Sequence, residues 1–131
     1  MNILKFFEST EKREKLSHIK SLIVLAMADG IVQESELAAI AAVAARENIS
    51  EKDLQRCIEN PKSIDFLPPS DNKTKLNYLR DMVLLMMSDG DIDKKEMLVC
   101  KMTAEALGYR HEVIEALILD IIADLKSEMN F

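Results

Sequence analysis

The chain has 131 residues, 48% of them hydrophobic and 31% charged, the balance of one folded domain with its own core rather than a disordered segment. Its 17 Lys and Arg against 23 Asp and Glu leave a net charge of −6, and the clearest basic cluster (Lys12, Arg13, Lys15) alternates with Glu11 and Glu14; a nucleic-acid partner, which needs a basic face, is not expected. Three Gly and three Pro leave little turn material, so few and long elements are expected, helices rather than strands.

Ser9 or Thr10 is the expected cap of a first helix over 11–28, with Glu11 and Glu14 in or near its first turn. Leu16, Ile19, Ile23 and Ala26 form one stripe. Leu22, Val24, Leu25 and Met27 fill much of the rest, so this helix, apolar nearly all round, belongs at the centre. His18 follows Glu14 by four residues and is expected to form an exposed helix pair. A second helix over 33–47 carries a small-residue run at 38–45 that permits close packing. Ser50 is placed to cap a third, over 51–59, with Leu54, Cys57 and Ile58 facing in. Residues 60–71 hold Pro61, Pro68 and Pro69 and read as a linker, pinned to the core by Ile64, Phe66 and Leu67.

Beyond the linker the plan recurs. A helix over 72–88 has Leu76, Leu79, Val83 and Met86 at helical spacing, and Met82, Met86 and Met87 read as core. A helix over 93–107 ends at Gly108. The last, over 110–128, carries the stripe Val113, Ile114, Leu117, Ile118, Ile121, Ile122 and Leu125. No run reaches the length of a membrane span, and the first eight residues lack the features of a signal peptide. Cys57 and Cys100 are too few for a disulfide framework and read as buried thiols. The expected location is the cytoplasm, where thiols stay reduced.

Two segments repeat. Leu25-Ala26-Met27-Ala28-Asp29-Gly30 matches Leu85-Met86-Met87-Ser88-Asp89-Gly90, and Glu36 matches Glu96, at a constant offset of 60 residues. Ile19 with Leu79, Ile23 with Val83, Val32 with Ile92, Leu37 with Met97 and Leu54 with Ile114 keep apolar character at the same offset. Duplication explains this better than chance. The expected architecture is all-α: a single domain over 1–131 with an internal repeat at about 15–59 and 72–128, related by a pseudo-two-fold axis.

The repeated Asp-Gly corner is the candidate site. Gly30 and Gly90 suit left-handed residues that end a helix. Asp93 and Glu96 have capping-box spacing, whereas Gln33 with Glu36 lacks a good cap. Asp29 and Asp89 are harder to explain, because an acid at a helix C-terminus opposes the macrodipole by ~0.3–1 kcal/mol. The same unfavourable acid in both copies points to a use. An EF-hand is excluded, since Leu25, Met27, Leu85 and Met87 fall where the loop needs oxygen ligands. A different site would form if Asp29, Glu36, Asp89 and Glu96 converged across the axis, with Glu34 and Asp91 nearby. All-carboxylate ligands suit a hard divalent cation such as Ca²⁺, Mg²⁺ or Mn²⁺.

At these residues the chain resembles the TerB-like family of tellurite-resistance-associated domains. The family's (Ala/Ser)-Asp-Gly-x-(Ile/Val)-x-x-x-Glu pattern is similar to Ala28-Asp29-Gly30-Ile31-Val32 through Glu36. It is met again in Ser88-Asp89-Gly90-Asp91-Ile92 through Glu96. Ala106-Leu107-Gly108-Tyr109 resembles the family's turn after the second helix. The resemblance spans roughly residues 15–122. It implies a fold of about seven helices and an intracellular role in stress response or signalling, as a module that contacts a protein partner. It implies no catalytic activity, and a divalent-metal role for Asp29, Glu36, Asp89 and Glu96. Two alternatives stand beside this reading: a metal-dependent enzyme built on the same acids, and acids that only cap helix ends.

Other chemistry has little support. His111-Glu112-Val113-Ile114-Glu115 lacks the second histidine of a zinc-protease helix. Neither cysteine has a histidine partner in sequence. Neither a Gly-x-Ser-x-Gly elbow nor a Gly-rich phosphate loop occurs.

Overall fold

A computed structural model describes residues 8–129. The signal-peptide expectation rests mainly on residues 1–7, which lie outside that range. Among the described residues the elements are α1 (Thr10–Ala26), α2 (Glu34–Arg46), α3 (Glu51–Glu59), a 3-10 turn (Pro61–Ser63), α4 (Asn72–Met87), α5 (Lys94–Ala106) and α6 (Val113–Met129). No strand occurs among them.

Short polar side chains start three of the helices. Ser9 Oγ accepts the Lys12 N–H at 3.1 Å, Ser50 Oγ that of Asp53 at 3.1 Å, and the Asp71 carboxylate that of Thr74 at 2.9 Å. Each satisfies a donor that the helix cannot pair internally. After α1 and α4 the chain turns through Gly30 and Gly90, at φ 86° and 87°. Few side chains tolerate that left-handed conformation.

The core sits between α1 and α4. Leu16, Ile19, Leu22 and Leu25 of α1 and Leu79, Met82, Val83 and Met86 of α4 are all buried. Around this pair, α2, α3 and α5 pack on α1, while α2, α5 and α6 pack on α4. Cys57 and Cys100 are free and buried, and burial pushes their thiols up to about 11 and about 12. Among the described residues no helix is long and apolar enough to cross a membrane.

Three local expectations need correction. His18 is not an exposed partner of Glu14: it is only 3% exposed. Its Nε2 lies 2.8 Å from Asp81 Oδ2, and its ring stacks on Tyr78 with centroids 3.8 Å apart. The Arg46 guanidinium closes the other side of Asp81, donating to both carboxylate oxygens. Burial opposes charge on Asp81, but hydrogen bonds with His18 and Arg46 outweigh it and hold the carboxyl below the usual range. Secondly, the linker is pinned by Ile64, which is buried, and by the Leu67 N–H, which donates to Ser17 Oγ at 2.8 Å; Phe66 stays 44% exposed. Thirdly, α6 begins at Val113, after a turn closed by the Val113 N–H on the Arg110 carbonyl. Its stripe faces the core through Ile114 and Ile121, whereas Leu125 is exposed.

Candidate metal centre

Helices α1 and α4 pack on each other, His18 stacks on Tyr78 near their middles, and Asp29 and Asp89, one beyond each helix end, both bear on Glu96, so both Asp-Gly corners lie at one end. In each corner the aspartate folds back on its own turn. Asp29 Oδ1 accepts the Ile31 N–H at 3.0 Å, and Asp89 Oδ1 accepts the Asp91 N–H at 3.1 Å. These bonds stabilise the turn around each glycine. They explain why an aspartate is tolerated there despite the helix dipole, and they engage one oxygen of each carboxylate.

The helices that follow begin differently. At α2, Glu36 Oε1 accepts the Gln33 N–H at 3.1 Å, the reaching-back half of a capping box. At α5, Asp93 holds the N-cap position without a side-chain cap bond. Its Oδ2 is sealed from solvent and has no hydrogen-bond partner. Glu96 is 5% exposed. The capping expected of Asp93 and Glu96 is therefore absent, and the weaker-looking Gln33/Glu36 start is the one that makes a cap bond.

What Asp93 and Glu96 do instead is meet the other corner. One carboxylate oxygen from each of Asp29, Asp93 and Glu96 lies within 4.8 Å of the others. Burial pushes the Glu96 carboxyl up to about 7, and the charges of Glu36, Asp89, Asp29 and Asp93 push in the same direction. Of the four acids singled out in sequence, Asp29 and Glu96 come together directly. Glu36 and Asp89 act on Glu96 through their charge but stand outside the close triad. Asp93 takes the third place; its spacing to Glu96 had read as a local cap. Glu34 and Asp91 are exposed and do not belong to the triad.

Three clustered carboxylates with few compensating donors form a hard, anionic oxygen site. Such a set matches Ca²⁺, Mg²⁺ or Mn²⁺ and offers nothing to a soft metal. Neither histidine joins it, since His18 is held by Asp81 and His111 sits beside Glu105 and Glu112.

Two apolar grooves lie along the flanks. One, of about 240 Å³, runs between α2 and α4 and includes Ala39, Val43, Arg46, Asp81 and Leu84. The other, of about 260 Å³, runs between α5 and α1 and includes Val99, Thr103, Ala106, Ser21 and Val24. Each of these five pairs is 60 positions apart.

The chain matches no protein-family model, no curated protein and no solved structure.

Proposed function

We propose that this chain is a non-enzymatic, TerB-like helical module made of two pseudo-symmetric halves in a fold of about seven helices. It acts in the cytoplasm as a protein-interaction domain of stress response or signalling, and its acidic corner takes a divalent cation. Support for the duplicated plan comes from the Asp-Gly motifs in register, the matched lengths of α2 and α5, and grooves lined by residues 60 positions apart.

The observation that carries the cation reading is Glu96. It is a buried acid with no hydrogen-bond donor among the described residues, and its oxygen lies with those of Asp29 and Asp93. A buried carboxylate without a donor or counter-charge is costly, and a bound cation would remove that cost. Turn and cap bonds account for Asp29, Asp89 and Glu36; they leave Asp93 and Glu96 unexplained, which weighs against acids that serve only as caps. A metal-dependent enzyme would also need acid–base partners beside the ion, and both histidines are engaged elsewhere.

Thermal unfolding of metal-stripped protein with Ca²⁺, Mg²⁺ or Mn²⁺ tests this, run beside an Asp29→Asn/Asp89→Asn double variant. The expected result is a saturable rise in midpoint with at least one ion, lost in the variant. No rise with any ion would overturn the cation reading.

A further inference from the structure

We infer that the acidic corner takes one cation per chain rather than two, and that Asp93, not Asp89 or Glu36, completes its protein ligands beside Asp29 and Glu96. This rests on the cation reading above and adds its stoichiometry and its ligand set.

A duplicated chain offers two counterpart triads. At the 60-residue offset, Asp29, Asp93 and Glu96 correspond to Asp89, Gln33 and Glu36. Only the first brings three carboxylate oxygens within 4.8 Å. The second differs in each way that matters to a cation. Gln33 supplies an amide oxygen without charge. Glu36 already accepts the Gln33 N–H and is half-buried, whereas Glu96 is buried and accepts no hydrogen bond among the described residues. Asp93 also has a sealed oxygen without a donor. Buried Glu96, which accepts no hydrogen bond among the described residues, and one sealed oxygen of half-buried Asp93 thus face the first triad, whereas Asp89 and Glu36 of the second each accept a backbone N–H.

The spacing admits a single cation, Ca²⁺ included. Ca²⁺ holds oxygens at 2.3–2.6 Å, so ligands on opposite sides of it stand about 4.6–5.2 Å apart. Three oxygens no more than 4.8 Å apart can reach one such ion without rearrangement of the helices. Two corners of the fold would then be joined through it, Asp29 from the end of α1 and Asp93 with Glu96 from the start of α5.

Titration calorimetry of the metal-stripped full chain with Ca²⁺, and with Mn²⁺ alongside, tests the assignment. Asp93→Gln gives the first triad the Asp, Gln and Glu composition of the second; Asp89→Asn removes the counterpart of Asp29. Helical circular dichroism confirms that each variant is folded. We expect one equivalent in the wild type, at least about tenfold weaker binding in Asp93→Gln, and one equivalent retained in Asp89→Asn with affinity within about threefold, since Asp89 contributes only by its charge. Two equivalents, or equal weakening by both substitutions, would overturn the one-sided assignment and leave the cation reading standing. Absence of binding by either ion to the wild type would overturn both.

Discussion

The His18 ring lies flat on that of Tyr78, with centroids 3.8 Å apart and planes 4° from parallel, and the two residues are 60 positions apart. The stack fixes α1 against α4 at mid-length, and the His18–Asp81–Arg46 bonds fasten α2 to the pair. With both central helices held in the same direction, their ends open onto one face. Asp29 is thereby brought to Asp93 and Glu96, so a buried contact in the middle of the molecule positions the acidic corner at its end.

Asp81 is the centre of that fastening. Asp81→Asn removes the negative charge faced by His18 and Arg46. Because Arg46 is half exposed, the loss should be about 2 kcal/mol, below the ~3–5 kcal/mol of a fully buried pair. The carboxyl is held below its usual value in the folded state, so its contribution is present above the unfolded value of about 3.9. It disappears as pH falls through the folded value. Urea unfolding should therefore show the full deficit at about pH 7 and a shrinking one as pH falls below the unfolded value of about 3.9 and through the lower folded value.

Gly90 tests the corner backbone apart from its acids. Its φ is +87°, and a Cβ added there meets nothing within 4 Å. Gly90→Ala should cost about 1–2 kcal/mol through backbone strain alone, and Gly90→Asn clearly less, since Asn tolerates the left-handed region. Thermal unfolding of the two variants checks the order. Equal midpoints for alanine and wild type would contradict it.

Local signals were readable in the sequence because their causes are local. Ser9 and Ser50 announced themselves by side chains that cap within three residues; the equivalent bond of Asp71 was not singled out. The central place of α1 followed from a helix apolar on nearly every side, whereas the apolar stripe of α4 did not by itself place it at the centre. His18 was misjudged because Glu14 is a near neighbour in sequence, while its true partner Asp81 is 63 residues away. Asp93 was misjudged in the same way. Its spacing to Glu96 fits a cap, but tertiary packing brings Asp29 to within reach and the cap bond does not form. The Asp-Gly repeat identified the corner; which acids close upon one another depended on how two helices cross. The exposure of Leu125 likewise depends on where α6 runs past the core, which its amphipathic pattern does not encode.

If Glu96 holds a cation, its buried carboxylate is retained at the expense of the metal-free fold. Its carboxyl is raised to about 7 in the folded state, by burial first and neighbouring acids second. A raised acid favours the protonated folded form. In chelator, wild-type stability should therefore fall as pH climbs from about 4.5 to about 7 and stay low above that. The most direct test is the unfolding midpoint of wild type and Glu96→Gln at about pH 8, in chelator and then in Ca²⁺. In chelator the variant should be the more stable by on the order of 2 kcal/mol. With Ca²⁺ the wild type should rise and overtake it, while the variant gains little. A variant less stable than wild type in chelator, or one that gains as much from Ca²⁺, would contradict the account.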